Sequence, residues 1–445
     1  MGARLPSQST TRGYFCFWFP GVSCQGMGAG HSHSGADLDH VAVGTTARNV
    51  LIGFLALVGV LTVAGLIWLW PSGSDLSSVV QKIYDAPNLT HEHGTITDIT
   101  DGCDAQQTGN AKCVTATVTV NTGEDTGSSV TIPLLGPNAQ SGLRAGDVIE
   151  LNRIASADDP VWSYSSTERM PVLAVLAVLF VLVVLAVARL KGLFALLGLG
   201  FAGVVLVGFM LPALITGKPG ILVALVGGTA IMFVVLYVAH GVSIRTSTAL
   251  AGTLLGVAVT TGLGSLFVEL ARLAGFAEEN EYDLAQLVPG LNFRELLMVG
   301  IIVGGLGVMN DVTITQSSAV WELRAAAPSM SRGKLFAAGM RIGRDHIAST
   351  IYTIVFAYAG GSLAVLLLLY FTDRPALALM NAEMFASEIV RTLGSAIGLI
   401  LSVPITTGIA ALTVGAAATP PARRGKYQAR RGRHAEEPEA EAAEA

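Results

Sequence analysis

Polar side chains recur at helical spacing within an apolar stretch in the C-terminal half of the chain. Asp311, Thr315, Ser318 and Glu322 follow one another at intervals of three or four residues, so they share one face of a helix. A carboxylate inside a membrane-spanning helix costs about 2.5–3.5 kcal/mol on insertion scales, and it normally faces the bundle interior or a water-filled cavity. The pattern predicts an intramembrane polar site for a proton, a cation or a small solute, with Asp311 as the first candidate.

A second polar stripe, formed by Asp345, Ser349 and Thr353, lies in the next predicted helix. The last predicted helix adds a proline beside two threonine hydroxyls. Pro404 removes a backbone donor in mid-helix, which leaves a carbonyl oxygen for a hydroxyl or an ion. The predicted site comprises one set of polar residues from these three helices: Asn310, Asp311, Thr315, Ser318, Asp345, Ser349, Thr353 and Thr406.

A purely structural role is the alternative for both aspartates. Asp311 could form a salt bridge with Arg341 or Arg344 near a helix end. Asp345, the second candidate, could lie at the membrane surface. Either arrangement would explain the charges without transport or binding.

Two further pairs of residues carry weaker signals. His91 and His93 share one face of a predicted strand, but no third metal ligand is evident, and an exposed strand explains them equally well. Cys103 and Cys113 flank a predicted turn on the oxidising side of the membrane. The sequence favours a disulfide between them, with two free thiols as the alternative.

Motifs typical of enzymes are not found in the sequence. It contains no glycine-rich phosphate loop, no Gly-x-Ser-x-Gly nucleophile motif and no HExxH metal motif. The expectation is therefore a protein that is not an enzyme, that needs no cofactor or resident metal, and that binds no nucleic acid.

Long apolar segments of the sequence are predicted to form the helices that position these residues. Hydrophobic residues make up 51% of the chain and charged residues only 13%, whereas about a quarter of the residues in soluble domains are charged. A membrane-spanning helix needs about 20 apolar residues. About eight spans are predicted: 50–70, 171–188, 193–214, 220–239, 248–269, 296–317, 350–371 and 389–414.

The segment 71–168 differs in character from the rest of the chain. Short β-branched runs such as 113–120 alternate in period two and are separated by turns rich in glycine, asparagine and aspartate. The pattern predicts a small all-β barrel or sandwich between the first and second helices. The fold class is thus an α-helical polytopic membrane protein with an inserted β domain.

The charges of the predicted loops give an orientation. Lysine and arginine are concentrated in the loops on the side of both termini, which the positive-inside rule assigns to the cytoplasm. We expect a multi-pass protein of a bacterial plasma membrane, embedded in the lipid bilayer, with the β domain on the extracytoplasmic side.

The predicted domains follow from these assignments. A disordered cytoplasmic tail covers 1–46, of which 1–26 precedes a plausible start at Met27. The first helix covers 47–70, the β domain 71–168 and a seven-helix bundle 169–415. A disordered tail that is first basic and then acidic covers 416–445.

Several motifs resemble those of the YibE/F-like bacterial membrane proteins. They are the runs Gly307 to Ser318, Glu322-Leu323, Gly339 to Asp345, Phe356 to Gly360, Gly394-Ser395 and Pro404 to Thr406. Departures such as Asn310 and Thr315-Gln316, where family members often have small residues and serines, are conservative. The resemblance covers about 85–435 and implies the architecture rather than an activity.

Two functions fit these features. The first is a transporter or permease for an ion or small solute that uses the polar intramembrane site. The alternative is a non-transporting membrane scaffold whose β domain docks an envelope partner. The sequence leaves the substrate, the partner and the oligomeric state open.

Overall fold

The structure is a computed structural model of the chain. It describes residues 41–73, 77, 89–103, 112–156, 159–276, 279–371 and 375–415. The predicted tail 416–445, and residues 1–40 of the predicted tail 1–46, lie outside the described residues.

Within the described residues, six helices are long and apolar enough to cross a membrane, in agreement with a mostly helical membrane protein but fewer than the eight spans predicted. They are α1 (Thr45–Leu69), the helical segment Met170–Ile215, α4 (Gly220–His240), α5 (Ile244–Leu270), α7 (Phe293–Ala326) and α11 (Glu383–Thr413). The segment Met170–Ile215 consists of α2 (Met170–Val205), a π-helical turn (Leu206–Met210) and α3 (Leu211–Ile215). The shorter or more polar α-helices in the described part of the chain are α6 (Glu279–Leu287), α8 (Arg332–Gly361), α9 (Leu363–Phe371) and α10 (Ala376–Leu379).

Capping side chains begin three of the bundle helices. Ser243, Asn292 and Ser331 precede α5, α7 and α8, and each accepts a hydrogen bond from the backbone N–H three residues later. Such caps satisfy donors that a helix start leaves free. The predicted span 350–371 corresponds to the end of α8 and to α9, because α8 begins earlier in a more polar stretch.

The segment Met170–Ile215 bends sharply at Arg189, where the two spans 171–188 and 193–214 were expected to be separated. Arg189 has φ 52° and ψ −131°, outside the helical region. A Cβ at Gly192 would lie 2.8 Å from the carbonyl oxygen of Val184. In a straight helix, two residues that are eight positions apart in the sequence are separated by about 12 Å along the axis. The break between the predicted spans is therefore a real bend of the chain.

The β domain is a single antiparallel sheet of five strands. The strands are β1 (Leu89–Asp101), β2 (Cys113–Val120), β3 (Ser129–Leu135), β4 (Val148–Ile154) and β5 (Val161–Thr167), in the order β3-β2-β1-β4-β5. Cα atoms of the two end strands, β3 and β5, approach within 8 Å, so the sheet curls into a half-barrel. The predicted small all-β domain is confirmed.

The half-barrel has its own apolar core. Val114, Ala116, Val118 and Val120 alternate with more exposed residues along β2 and are buried. Cys103 follows β1, Cys113 begins β2, and a disulfide joins them with a Cα–Cα distance of 5.8 Å. That distance is typical of disulfides.

The helical core is formed around three helices that all contact one another: α5, α7 and α11. α4 packs against α7 and α5, α1 packs against α4 and α5, and α8 packs against α11 and α7. The predicted polar stripes therefore lie on a central helix, α7, and on its neighbour α8.

Candidate functional site

The predicted polar face of α7 lies on the outside of the bundle. Asp311, Thr315 and Glu322 are exposed, while Gln316 and Ser317 on the opposite face are buried. In the chain on its own, Asp311 therefore does not face the bundle interior, which is one of the two environments expected for it. Helical periodicity placed the polar residues on one face, but it could not say which neighbour that face meets.

Asp311 lies inside one end of the bundle. The hydroxyl of Ser317 donates a hydrogen bond to the backbone carbonyl of Arg245, at the start of α5, over 2.8 Å. Asp311 precedes Ser317 by six residues in α7. It therefore lies about 9 Å deeper in the bundle than the start of α5. His240 at the end of α4 is close enough to Asp311 to interact with its charge. The charges of Lys191 and Arg245 also act on His240.

The salt bridge considered as a structural role for Asp311 does not form among the described residues. Among the described residues, no nitrogen of Arg341 or Arg344 lies within 4.0 Å of an Asp311 oxygen. Both arginines are exposed on α8. Asp311 is thus an exposed carboxylate without an ion-pair partner in this part of the chain.

The second polar stripe also points outward. Asp345, Ser349 and Thr353 are exposed, whereas Thr350 and Ile354 of the same helix are buried. The two aspartates therefore do not converge on an enclosed cavity in the single chain.

The contacts of Gln316 fix the register between α7 and α8. Its Nε2 donates a hydrogen bond to the carbonyl oxygen of Gly339 over 2.8 Å, and a Cβ at Gly343 would lie 3.1 Å from its Oε1. The two helices run in opposite directions, so Asp311, five residues before Gln316, is level with the region of Asp345. The two stripes thus lie at the same depth on neighbouring helices.

A buried polar layer lies on the inner side of α7. Gln316 Nε2 also donates to Thr407 Oγ1 over 2.7 Å, and the hydroxyls of Thr253 and Thr313 are 2.6 Å apart. Sequence reasoning selected the outward Thr315 and missed its neighbour Gln316. The available signal was an amide in an apolar helix, because a buried polar group needs a partner.

Thr406 belongs to a seam between α5 and α11 rather than to the outward stripes. It is fully buried, and in the described structure its Oγ1 has no hydrogen-bond partner. A Cβ at Gly252 on α5 would collide with this hydroxyl. A second contact of this kind has the helices exchanged. Here the threonine is Thr260 on α5 and the glycine is Gly398 on α11.

The two helices of this seam carry the same local sequence. The motif Thr-Thr-Gly begins eight residues after Gly252 in α5 and eight residues after Gly398 in α11. The helices run in opposite directions, so each glycine meets the first threonine of the other motif. The seam therefore has a local two-fold symmetry, with an axis across the helices.

The family of the chain follows from a match to a family model. The model of YibE/F-like proteins matches residues 176–416, more than half of the 445-residue chain. The chain belongs to the YibE/F-like family. The matched region contains both polar stripes and the α5–α11 seam. The β strands, which the resemblance over about 85–435 included, and α1, which it did not, lie outside the matched region. No curated protein and no solved structure matches the chain significantly.

This YibE/F-like protein also has a cavity between α8, α9 and α11, which sequence reasoning missed. Its volume is about 490 Å³. Polar and aromatic residues in its lining include Tyr358, Phe385, Ser387, Glu388 and Arg391. Glu388 Oε2 and Arg391 Nη1 are 3.6 Å apart. The signal in the sequence was this pair of charges at the start of the last predicted span.

The histidines of the β domain pair with separate carboxylates. His91 Nδ1 lies 3.8 Å from Glu150, and His93 Nδ1 lies 3.9 Å from Glu168. Among the described residues, no group of three or more histidine, cysteine, aspartate or glutamate side chains could hold a metal ion. A hydrogen bond from Ser166 lowers the pKa of Glu150, with smaller contributions from Ser165 and the two histidines.

Proposed function

We propose that this YibE/F-like protein is a permease for a proton, a cation or a small solute, with Asp311 as its central residue. The observation that carries the proposal is an exposed carboxylate about 9 Å inside the end of the bundle that has no ion-pair partner among the described residues. Ionisable residues at membrane depth are costly and mark ion or substrate pathways in many membrane proteins. A bound cation or proton would remove that cost.

The surface of α7 beyond Asp311 supports a path toward the opposite side of the bundle. Gly304 and Gly307 lie on the same helical face as Asp311. A Cβ at Gly307 would meet nothing within 4 Å, and one at Gly304 would lie 3.2 Å from the hydroxyl of Tyr358. Tyr358 lines the 490 Å³ cavity. Small residues on this face of α7 therefore lie between Asp311 and Tyr358, a residue of the cavity lining.

Eight crossings are part of the proposal. The segment Met170–Ile215 has 46 residues. It would be about 69 Å long if straight, more than twice the thickness of the hydrocarbon layer, which is about 30 Å. The bend at Arg189 supports two crossings instead of one. α8 and α9 together supply the remaining crossing.

The orientation is proposed with both termini in the cytoplasm of a bacterium and the β domain outside its plasma membrane. The basic residues Lys191 and Arg245 near His240 support this, because basic loops favour the cytoplasmic side. The disulfide in the β domain fits an oxidising compartment.

The decisive experiment is flux in proteoliposomes. The purified protein is reconstituted with a trapped pH-sensitive or cation-sensitive dye, and ion gradients are applied. We expect flux from the wild type, and a loss of about tenfold or more in Asp311→Asn, which removes the charge but preserves the shape. Glu269→Gln, an exposed carboxylate at the end of α5, is the matched control and should keep wild-type flux. No flux from the wild type under any gradient would contradict the proposal.

A scaffold function is the second candidate. It is supported by the β domain, which has its own apolar core apart from the core of the helices. Deletion of residues 89–167 separates the two functions in cells. If the deletion removes an envelope protein from pull-downs while Asp311→Asn has no effect on growth or flux, the scaffold is the better explanation.

A further inference from the structure

Charged side chains are exposed on the neighbouring helices α7 and α8, whose outward residues are called the α7–α8 surface here. Asp311 lies on α7, and Arg341, Arg344 and Asp345 lie on α8; all four are exposed. In the described part of the chain, none of them has an ion-pair partner within 4.0 Å. Lipid tails cannot hydrogen-bond to a carboxylate or a guanidinium, so this surface needs a polar cover where it enters the membrane.

The charges on this surface are complementary and lie at the same depth. The contacts of Gln316 with Gly339 and Gly343 place Asp311 level with the residues around Arg344. The acid is on one helix and the base on its neighbour. A second copy of the same surface, turned by a two-fold axis along the membrane normal, would present a base at the depth of each acid.

The shape of the surface permits close approach of another helix. Gly300, Gly304 and Gly307 lie on the face of α7 that carries Asp311. Gly300 and Gly307 have open space where a Cβ would be. Small residues on one face let membrane helices approach closely and associate. Together with the charges, they form a self-complementary surface.

We propose that a second copy of this chain packs against the α7–α8 surface in a two-fold symmetric dimer. Asp311 of each copy faces Arg344 of the other copy. A single self-complementary surface is what a two-fold dimer requires. An anionic lipid headgroup could neutralise the arginines but not Asp311, whereas a second copy neutralises both. The dimer does not depend on transport. In the proposed permease, a transported cation would have to displace Arg344 of the other copy from the Asp311 carboxylate.

Cysteine crosslinking in native membranes tests the contact. Thr315→Cys, on the polar face of α7, is introduced into the full chain with Cys16→Ser and Cys24→Ser and treated with a short bismaleimide. Val183→Cys on α2, which is 53% exposed, is the matched control on another outer surface. We expect a product of twice the chain mass for Thr315→Cys and none above background for Val183→Cys. Equal yields for the two variants, or a product of any other mass, would overturn the proposal.

Charge reversal then tests the pair itself. Asp311→Arg and Arg344→Asp, each in the Thr315→Cys background, should lower the dimer yield about tenfold, because each brings like charges together. The double variant restores opposite charges and should recover a yield within about twofold of the parent. That recovery also shows that the reversed chains fold. Unchanged yields in both single variants, or no recovery in the double variant, would refute the proposed pair.

The dimer proposal and the permease proposal can be disproved separately. Crosslinking reports only on the contact between two copies, and dye flux reports only on transport. Arg344→Asp with Asp311→Arg should restore the dimer, yet it leaves no carboxylate at position 311. Dimer recovery without flux would support both proposals.

Discussion

Thr406 Oγ1 on α11 occupies the space in which a Cβ at Gly252 on α5 would lie. Thr260 and Gly398 repeat this relationship with the helices exchanged. Each hydroxyl is directed at the Cα–H of a glycine, where a weak Cα–H···O contact is available. The contact explains how two buried hydroxyls that have no hydrogen-bond partner among the described residues are accommodated between the central helices.

Alanine at either glycine should therefore destabilise the bundle. For Gly252→Ala or Gly398→Ala we expect a loss of about 1–3 kcal/mol, because a methyl group must displace a buried hydroxyl in a packed seam. Thermal unfolding of the purified protein in detergent measures the effect. Gly262→Ala is the control, since a Cβ there meets nothing within 4 Å. Equal stability of the Gly252 and Gly262 variants would contradict the tight seam.

The buried amide of Gln316 should matter more than the outward polar residues. Gln316→Ala leaves the Gly339 carbonyl and the Thr407 hydroxyl without their shared donor. Such a loss costs about 1–3 kcal/mol. Thr353→Ala, which removes an exposed hydroxyl bonded only to its own helix, should change stability by less than about 0.5 kcal/mol. The same detergent unfolding assay compares the two, and a reversed order would argue against the buried layer.

Cys103 and Cys113 should resist alkylation until the protein is reduced. A polymer-linked maleimide added to the denatured chain with Cys16→Ser and Cys24→Ser is expected to give no mass shift before reduction and two additions after it. Loss of the disulfide should destabilise the half-barrel by about 2–4 kcal/mol. Amide exchange of β1 and β2 in Cys113→Ser measures this loss. Labelling before reduction would show free thiols instead.

Glu150 should make the half-barrel slightly more stable at neutral than at acid pH. The hydrogen bond from Ser166 lowers its pKa in the folded chain. Its contribution is therefore present above the ordinary pKa and is lost as the pH falls through the lowered value. Amide exchange of β4 and β5 should be faster in Glu150→Gln than in the wild type at about pH 7, and the difference should shrink as the pH falls through the lowered pKa. The effect is small because the side chain is partly exposed, and a difference only at acid pH would have the wrong sign.

The sequence by itself determined the elements of this protein. Apolar length defined the spans, so the prediction 248–269 lies within α5 (Ile244–Leu270), and period-two alternation placed a strand at 113–120, where β2 lies. The polar interruption before 193 corresponds to the bend at Arg189. Both signals are local, since they depend on how each residue meets water or lipid within its own helix or strand.

Only the tertiary structure decided what each face of those elements meets. Periodicity grouped Asp311 with Thr315, but the packing of α7 turned that face outward and buried Gln316 instead. Gln316 contacts Thr407 from 91 positions away. The match between Gly252 and Thr406 likewise joins two helices that are distant in the chain. Such contacts depend on the relative rotation and depth of packed helices, which a single helix pattern does not contain.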